Sequence, residues 1–311
     1  HGALFLNLPY LFLNRKNTAL EKLLWRIVSD GSERFDTHFD LAVSYIEGGS
    51  AYYVHDHVSA AKKAAFIHVD YVQAGYTRRL DKDCYVDFDR IFAVSDETAG
   101  VFAGVYPECQ QKLSVFHNLI DTEAIRQKAL LPAEKAMHEG IRLLTVGRLT
   151  PQKGFDCVVY ALKLLLEKQY PVYWYIIGEG PEYGRLTQLA RSLHVEDHFI
   201  FLGMQTNPYP YFKMADFYIH ATRFEGKSIA IQEAQVLGCA IAASDCSGNR
   251  EQIVSGVDGL LWPFSPEGIA NAVEYLIEHP QTAESFGRAA AQKACHFEND
   301  IHMIRDLLYS P

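Results

Sequence analysis

The sequence predicts an α/β protein made of two doubly wound domains with parallel sheets. Its 311 residues are too many for one typical hydrophobic core, and 49% of them are hydrophobic, so two domains are expected. From Ile141 onward, short apolar runs alternate with longer helical patterns, which is typical of βαβ units. The preceding half repeats this alternation less regularly.

The second half carries the clearest alternation. Residues 141–146 form an apolar run that predicts a buried strand, and residues 155–168 predict a helix because their apolar residues recur at helical spacing. The same reasoning predicts strands at 172–177, 199–202, 217–221 and 240–243, and helices at 185–193, near 211, and at 229–237, 269–278 and 281–295. In the first half it predicts strands at 41–45, 64–68, 91–95 and 115–118.

The domain boundary is expected in the segment 130–140, which contains Pro132 and mixed charge and interrupts the pattern just before the strand at Ile141. The expected domains are residues 1–140 and 141–295. Residues 296–311 are expected to form a helix that packs back on the first domain. Two α/β domains facing each other bind ligands in the cleft between them, outside the carboxyl ends of their strands.

The composition excludes several classes of protein. Acidic residues number 38 against 29 basic ones, and the formal charge of -9 disfavours a nucleic acid partner. The six cysteines include no C-x-x-C pair, which argues against a disulfide framework or zinc ribbon and fits a reducing cytoplasm. The uncharged stretch 1–14 is shorter than the roughly 20 residues that a membrane helix needs.

The loop 147–154 is the best candidate for binding phosphate, because it links a predicted strand to a predicted helix and carries two cations. Arg148 can hold phosphate oxygens with two parallel hydrogen bonds, and Lys153 adds a point charge. The alternative is that both are solvated loop charges. The loop is not a Walker A motif, because G-x-x-x-x-G-K-[ST] is absent.

Two glutamates near the predicted helix 229–237 form the second candidate. Glu225 lies in the loop before that helix, and Glu233 lies about one turn inside it, so both can reach one ligand over the helix start. Carboxylates accept hydrogen bonds from the vicinal hydroxyls of ribose or a hexose, while backbone amides near Lys227, Ser228 and Ile229 suit a diphosphate. Such a ligand is a nucleotide sugar. The alternative is that both acids bind no ligand and are present only because the helix dipole stabilises negative charge near the amino terminus of a helix.

Three further features are weaker. The turn at 178–181 opens a helix but matches the dinucleotide fingerprint imperfectly. His68 follows a predicted strand and can hydrogen-bond a sugar hydroxyl or be an ordinary satisfied polar group. The segment His55-Asp56-His57 together with His68 suggests a metal site, but no further ligand stands at the spacing that such a site requires, so no metal is expected.

A basic amphipathic stretch around Lys22 and Arg26, preceded by Arg15 and Lys16, fits either a peripheral contact with an anionic membrane or a helix packed on the sheet.

Four motifs occur together in the second half: G-R-L-x-x-x-K-G at 147–154, G-x-G-P at 178–181, Asn-Pro-Tyr at 207–209, and E-x7-E from Glu225 to Glu233. Together they resemble the family 4 retaining glycosyltransferases of the GT-B fold, over essentially all of residues 141–295. The first half is similar at 45–49, 66–70 and 94–95. Such enzymes build capsule, exopolysaccharide or cell-wall glycans.

The resemblance implies a role for each candidate residue. Arg148 and Lys153 would bind the donor diphosphate, Glu233 the ribose hydroxyls, Glu225 the transferred sugar, and His68 the sugar's far hydroxyls or the acceptor. The other implied donor-binding residues are Gly178, Gln205 in the base-lining stretch 202–205, Gly226, Lys227, Ser228 and Ile229. The resemblance also implies no cofactor, no metal, and retention by front-face attack in which the leaving phosphate takes the acceptor's proton.

Two departures from the family pattern bear on function. Lys227 and Ser228 stand where a small apolar pair is common, which leaves the sugar specificity open. The first strand and glycine-rich loop of the first domain are not found, so the chain is expected to start part-way through that domain. The resulting hypothesis is a cytoplasmic glycosyltransferase that uses a UDP-sugar and a glycan or lipid-linked acceptor. The alternatives are a non-catalytic nucleotide-sugar-binding module and a GT-B nucleotide-sugar epimerase.

Overall fold

The computed structural model describes residues 20–294 and 300–309. They divide into two compact units, an amino-terminal unit that runs to Leu119 and includes the last helix, and a carboxyl-terminal unit that begins at Ile120. Each has a parallel sheet with helices, which confirms the predicted α/β fold class. Residues 1–19, on which the expectation of a missing first strand depends, and Cys295 lie outside the described residues.

The amino-terminal unit has a four-stranded parallel sheet in the order β1-β2-β3-β4. All four strands begin earlier than the sequence predicts. The first residues of β1 and β2 are exposed or only partly buried, so no continuous apolar run marks where these two strands begin. The elements are α1 (Leu20–Asp30), β1 (His38–Ser44), α2 (Gly49–His57), β2 (Ser59–Ile67), α3 (Arg78–Asp81), β3 (Arg90–Ala93), α4 (Asp96–Val105), β4 (Leu113–Val115) and, at the carboxyl end, α13 (Ile301–Tyr309), with 3-10 turns at Cys84–Asp87 and Pro107–Lys112.

Both faces of this sheet are covered. One face packs on a cluster that includes the buried rings of Tyr52, Tyr85 and Phe102. The other packs Phe66 and its aromatic neighbours against Leu307 of α13. The last helix therefore belongs to this unit because it covers apolar surface that the sheet would otherwise expose to water.

Helix α1 is amphipathic, but its cations do not form a basic surface. Arg26 is only 4% exposed and pairs with Asp56 at 2.8 Å, and the Lys22 ammonium lies 3.8 Å from the centre of the Tyr76 ring. These contacts favour the alternative in which the helix packs within the protein, and a peripheral contact with an anionic membrane stays a prediction. Arg15 and Lys16 lie outside the described residues.

The carboxyl-terminal unit has a six-stranded parallel sheet in the order β10-β9-β8-β5-β6-β7. Its elements are α5 (Thr122–Lys128), β5 (Ile141–Val146), a 3-10 turn (Pro151–Lys153), α6 (Phe155–Glu167), β6 (Val172–Ile177), α7 (Tyr183–Ser192), β7 (Phe199–Gly203), α8 (Tyr209–Met214), β8 (Phe217–His220), α9 (Ile229–Val236), β9 (Ala240–Ser244), α10 (Ser247–Arg250), β10 (Leu260–Trp262), α11 (Pro266–Glu278) and α12 (Pro280–Ala294). The chain reverses direction across the sheet beside β5, and such a switch point is where α/β sheets bind ligands.

The division between the units falls earlier than the predicted segment 130–140. Helix α5 lies before that segment, and its Ile125 packs against Val236 and Ala294. This contact attaches α5 to the carboxyl-terminal unit. The sequence could not predict the contact, because a helix of seven residues is too short for its apolar residues to show a period.

Candidate functional site

The candidate site lies at the switch point, where β5 and β8 are neighbouring parallel strands. The loop 147–154 leaves the carboxyl end of β5, and the loop 221–228 leaves the carboxyl end of β8. Since the strands are parallel, both loops emerge at the same edge of the sheet. The sequence motifs in these two loops therefore occupy one edge of the carboxyl-terminal unit.

Hydrogen bonds hold the two loops together. The backbone amide of Arg223 donates to the carbonyl of Gln152 at 2.8 Å, and the Gln152 side-chain amide donates to the carbonyl of Phe224 at 3.0 Å. The hydroxyl of Thr222 also donates to the Phe224 carbonyl, at 2.9 Å. These bonds fix the backbone directly before Lys153 and before Glu225, which brings the two side chains together.

Lys153, Glu225 and His220 form a mostly buried cluster, which we call the Glu225 cluster. The Lys153 ammonium donates a hydrogen bond to Glu225 Oε2, and the side chains are 17% and 11% exposed. His220 Nε2 lies 3.5 Å from the same oxygen. Burial of the Glu225 carboxyl raises its pKa, but His220 and the charge of Lys153 outweigh burial and hold the pKa at about 2. Glu225 is therefore ionised throughout the physiological range of pH.

His220 is a member of the cluster that the sequence analysis missed. It is 1% exposed, and its Nδ1 lies 3.1 Å from the hydroxyl of Tyr218. Burial and then the charge of Lys153 lower the pKa of His220, although Glu225 raises it. The ring is therefore neutral at neutral pH. A histidine that ends a buried strand five residues before Glu225 is the signal that could have identified it.

Glu233 lies on α9, and the Tyr209 hydroxyl donates to its Oε1 at 2.9 Å. Burial raises the pKa of the Glu233 carboxyl, while the hydrogen bond from Tyr209 lowers it. Burial, then the charges of Glu233 and Glu225, raise the pKa of Tyr218 well above its usual range. That the two glutamates share one ligand stays a prediction.

Arg148 is exposed, and within the described part of the chain its side chain makes no hydrogen bond or ion pair. The backbone beside it is fixed: the amide of Leu149 donates to the carbonyl of Glu179 at 2.9 Å. Gly178 has a φ of 141°, and a Cβ there would lie 2.0 Å from the Gly147 carbonyl oxygen. Gly178 therefore allows the turn 178–181 to support the loop that carries Arg148 and Lys153.

The segment from Gly226 to Ile229 leads into α9. Ser228 is buried, Lys227 is half-buried and Ile229 is 51% exposed. A Cβ on Gly248 of α10 would lie 1.7 Å from the Gly226 carbonyl oxygen, so only glycine permits this approach. This close contact fixes the position of Gly226 relative to α10. It therefore also fixes where α9 begins. The sequence analysis did not identify Gly248.

The base-lining stretch 202–205 follows β7. Leu202 is buried and accepts a 2.8 Å hydrogen bond at its carbonyl from the Gln205 side chain, which is half-buried. Met204 is 71% exposed. The Gln205 amide is therefore used within its own turn, and the turn presents Met204 to solvent.

His68 lies in the amino-terminal unit, directly after β2. Its backbone amide donates to Glu47 Oε2 at 2.9 Å, and its Nδ1 lies 3.8 Å from the same oxygen. Burial lowers the pKa of His68, although Glu47 raises it. The ring of Tyr45 lies beside it, with the ring centres 5.1 Å apart. These contacts place His68 at the carboxyl edge of its own sheet.

Residues 20–294 and 300–309 contain no cluster of three or more His, Cys, Asp or Glu side chains that could hold a metal ion. His55 is engaged with two acids, Asp56 at 2.5 Å and Asp87 at 2.8 Å. Over the same residues, the helices are all too short or too polar to cross a bilayer.

Residues 126–293, just over half of the chain, match the family described as glycosyl transferases group 1. Among curated relatives, the chain is 30% identical over 200 residues to the N-acetylgalactosamine-N,N'-diacetylbacillosaminyl-diphospho-undecaprenol 4-alpha-N-acetylgalactosaminyltransferase of Campylobacter jejuni, covering 64% of this chain and 53% of that protein. It is 28% identical to the D-inositol 3-phosphate glycosyltransferase of Kribbella flavida, covering 78% of this chain and 61% of that protein. The chain thus spans about half of these relatives' length.

Solved structures share the fold at low identity. A glycosyltransferase of Rickettsia africae superposes with a TM-score of 0.69 at 16% identity, over 93% of this chain and 81% of that chain. HepE of Anabaena, in complex with UDP and glucose, superposes with a TM-score of 0.69 at 18% identity, over 85% of this chain and 75% of that chain.

Proposed function

Because the chain belongs to the glycosyl transferases group 1, we propose that it transfers a sugar from a nucleoside diphosphate sugar to a hydroxyl group of an acceptor. The observation that carries this proposal is the Glu225 cluster beside Arg148, at the switch point of the carboxyl-terminal sheet. Cations for a diphosphate and a carboxylate for sugar hydroxyls then occur at one edge of one sheet.

The donor diphosphate is assigned to Arg148 and Lys153. Arg148 is exposed, and its side chain has no partner among the described residues to give up. Lys153 is paired with Glu225, so a diphosphate competes with that carboxylate for the ammonium group. Each charge-assisted hydrogen bond to phosphate contributes about 1.5–3 kcal/mol. These two cations supply the charge neutralisation that the proposed metal-independent reaction requires.

The sugar parts of the donor are assigned to the two glutamates. Glu225 presents Oε1, which accepts no hydrogen bond among the described residues, to hydroxyls of the transferred sugar. Glu233, held by Tyr209, binds the ribose hydroxyls. Gly178, Gln205, Gly226, Lys227, Ser228 and Ile229 complete the proposed donor site.

We propose UDP as the nucleotide, since HepE, which shares the fold, is described with UDP and glucose. The Campylobacter relative is named for an acceptor on diphospho-undecaprenol, which supports a lipid-linked acceptor here. The proposal includes the cytoplasmic location expected from a sequence that contains no C-x-x-C pair.

The proposed reaction retains the configuration of the sugar. The acceptor oxygen bonds to the anomeric carbon on the face that the diphosphate leaves, and the acceptor's proton passes to the departing phosphate oxygen. Arg148 and Lys153 stabilise the charge on that phosphate, which is the main contribution to lowering the barrier. His68 acts from the amino-terminal unit on the acceptor side.

The proposal is tested by incubating the chain with UDP-glucose or UDP-N-acetylglucosamine and a panel of glycan and lipid-linked acceptors, with products identified by mass spectrometry and NMR. Transfer to an acceptor, with the donor's anomeric configuration kept, is the expected result. Conversion of the donor sugar without an acceptor would favour an epimerase instead. Tight UDP-sugar binding with neither transfer nor hydrolysis would favour a non-catalytic binding module.

A further inference from the structure

His220 and Lys153 approach the same oxygen of Glu225. Lys153 donates to Oε2, and His220 Nε2 lies 3.5 Å from it, whereas Oε1 accepts no hydrogen bond among the described residues. His220 is 1% exposed, and Nε2 has no closer partner in the same set. A polar nitrogen this deeply buried is rarely left without a hydrogen-bond partner. The polar group that it faces is the Glu225 carboxylate.

The neighbours of His220 determine which ring nitrogen carries the proton. Burial raises the pKa of the Tyr218 hydroxyl well above its usual range. The hydroxyl therefore keeps its proton, and it can donate it to His220 Nδ1, which lies 3.1 Å away. When Nδ1 accepts, the proton of a neutral imidazole sits on Nε2, the nitrogen that faces Glu225.

We propose that His220 is a positioning residue for Glu225: its Nε2–H, set by Tyr218, holds Oε2 so that Oε1 is presented to the donor sugar. This inference rests on the proposed function. Lys153 serves the same oxygen only while no diphosphate is bound, because the two anions compete for it. His220 has no such competitor, and it keeps the carboxylate in place when Lys153 turns to the diphosphate.

The test compares variants that keep or remove a donor at the Nε2 position. In His220→Gln the amide nitrogen of the introduced side chain can reach that position, so most of the turnover of UDP-glucose or UDP-N-acetylglucosamine should be retained. His220→Leu should lower kcat about 10-fold, as loss of a hydrogen bond to a charged group does. UDP affinity, measured by calorimetry, should change less than about 2-fold in both variants, since neither touches the diphosphate. Equal losses in the two variants, or a matching loss of UDP affinity and melting temperature, would assign His220 to the scaffold.

A double-variant cycle separates positioning from packing. In the Glu225→Gln background, His220→Leu should cause no further loss of kcat, because the carboxylate it positions is gone. Additive losses would overturn the proposal.

An NMR measurement tests the inference even where no donor is turned over. Ring nitrogen shifts of His220 in the full chain at pH 7 should show a neutral Nε2–H tautomer, and Tyr218→Phe should shift the population toward Nδ1–H. A doubly protonated ring or an Nδ1–H tautomer in the wild type would contradict the proposal. If the tautomer is as expected but the wild type turns over no donor with any acceptor, the proposed transferase function fails while the arrangement around Glu225 stands.

Discussion

Each unit of the molecule sets a mostly buried glutamate beside a histidine at the carboxyl edge of its parallel sheet. In the carboxyl-terminal unit the pair is Glu225 and His220, and Lys153 shares the carboxylate. In the amino-terminal unit the pair is Glu47 and His68, and the carboxylate accepts from the His68 backbone amide. The pairs are alike, but within residues 20–294 and 300–309 only the Glu225 carboxylate has a lysine or arginine partner.

The surrounding loops extend this difference. Loop 147–154 carries Arg148 and Lys153, whereas the amino-terminal stretches 45–49, 68–77 and 94–97 contain no Lys or Arg. They expose apolar side chains instead, with Tyr45 at 58% and Val72 at 57%. One edge therefore suits an anionic ligand, and the other suits a neutral one with hydroxyl groups and apolar faces. We propose that the donor is recognised by the first edge and the acceptor by the second.

The largest expected effect is a loss of sugar transfer, without a loss of UDP affinity, when Glu225 at the carboxyl-terminal edge is changed. Glu225→Gln should lower sugar transfer about 100-fold, because it removes a charged hydrogen-bonding partner of the sugar. It should leave UDP affinity unchanged or raised, because Lys153 loses its competing carboxylate. Turnover and calorimetry test this, with Glu167→Gln on the exposed face of α6 as the control. A fall in UDP affinity as large as the fall in turnover would contradict the assignment.

The cations define the anionic edge. Arg148→Ala and Lys153→Ala should each weaken UDP and UDP-sugar binding by about 10- to 100-fold, corresponding to one lost charge-assisted hydrogen bond. The matched controls are Lys163→Ala and Arg288→Ala, which remove exposed ion pairs with Glu167 and Glu284. If calorimetry finds the controls and the site variants equally weakened, net charge rather than a specific site governs binding.

The amino-terminal edge should behave in the opposite way. His68→Ala should lower transfer about 10-fold by removing a hydrogen-bonding group, yet leave UDP affinity unchanged. The control is His302→Ala, an exposed position on α13. Weaker UDP binding in His68→Ala than in the wild type would show that the two edges do not divide the ligands in this way.

Within the nucleotide site, ribose recognition should be separable from phosphate recognition. Tyr209→Phe removes the hydrogen bond that the Tyr209 hydroxyl donates to the Glu233 carboxylate. Because Tyr209 acts on the ribose only through Glu233, UDP binding should weaken about 2- to 10-fold while binding of inorganic pyrophosphate is spared. Glu233→Ala should show the same selectivity more strongly. Tyr160→Phe, at an exposed position on α6, is the control. Equal losses for UDP and pyrophosphate would count against the ribose assignment.

The smallest expected effect is a change with pH in the free energy of unfolding. The pKa of Glu225 is about 2 in the folded chain, below its ordinary value of 4.5. The stabilisation from its ionised form is therefore fully present above pH 4.5 and is lost as the pH falls from there toward 2. The difference in unfolding free energy between wild type and Glu225→Gln, measured with urea, should narrow over that window. A difference independent of pH would mean that the carboxylate's charge is not stabilised.

The sequence predicts the carboxyl-terminal sheet closely because its strands are continuous buried apolar runs bounded by helical periodicity. The strand Ile141–Val146 has the expected bounds. In contrast, Leu260–Trp262 was not predicted, because three residues are too few to show a period.

Candidate site residues could be predicted from the sequence only where they lie close together along the chain, so that their spacing is visible. Glu225 and Glu233 share a helix and the loop before it, so their spacing indicates a shared ligand. The contacts of His220 with Tyr218 and Glu225, and of Gly248 with Gly226, depend on how neighbouring elements pack. Nor could composition show that Arg26 is buried on Asp56 rather than exposed.

The central claim is that the carboxyl-terminal edge alone recognises the nucleoside diphosphate. The most direct measurement is calorimetric titration of UDP into the wild type, Lys153→Ala and His68→Ala under identical conditions. We expect Lys153→Ala to weaken binding by at least about 10-fold and His68→Ala to leave it unchanged. Unchanged affinity in Lys153→Ala, or an equal loss in His68→Ala, would contradict the claim.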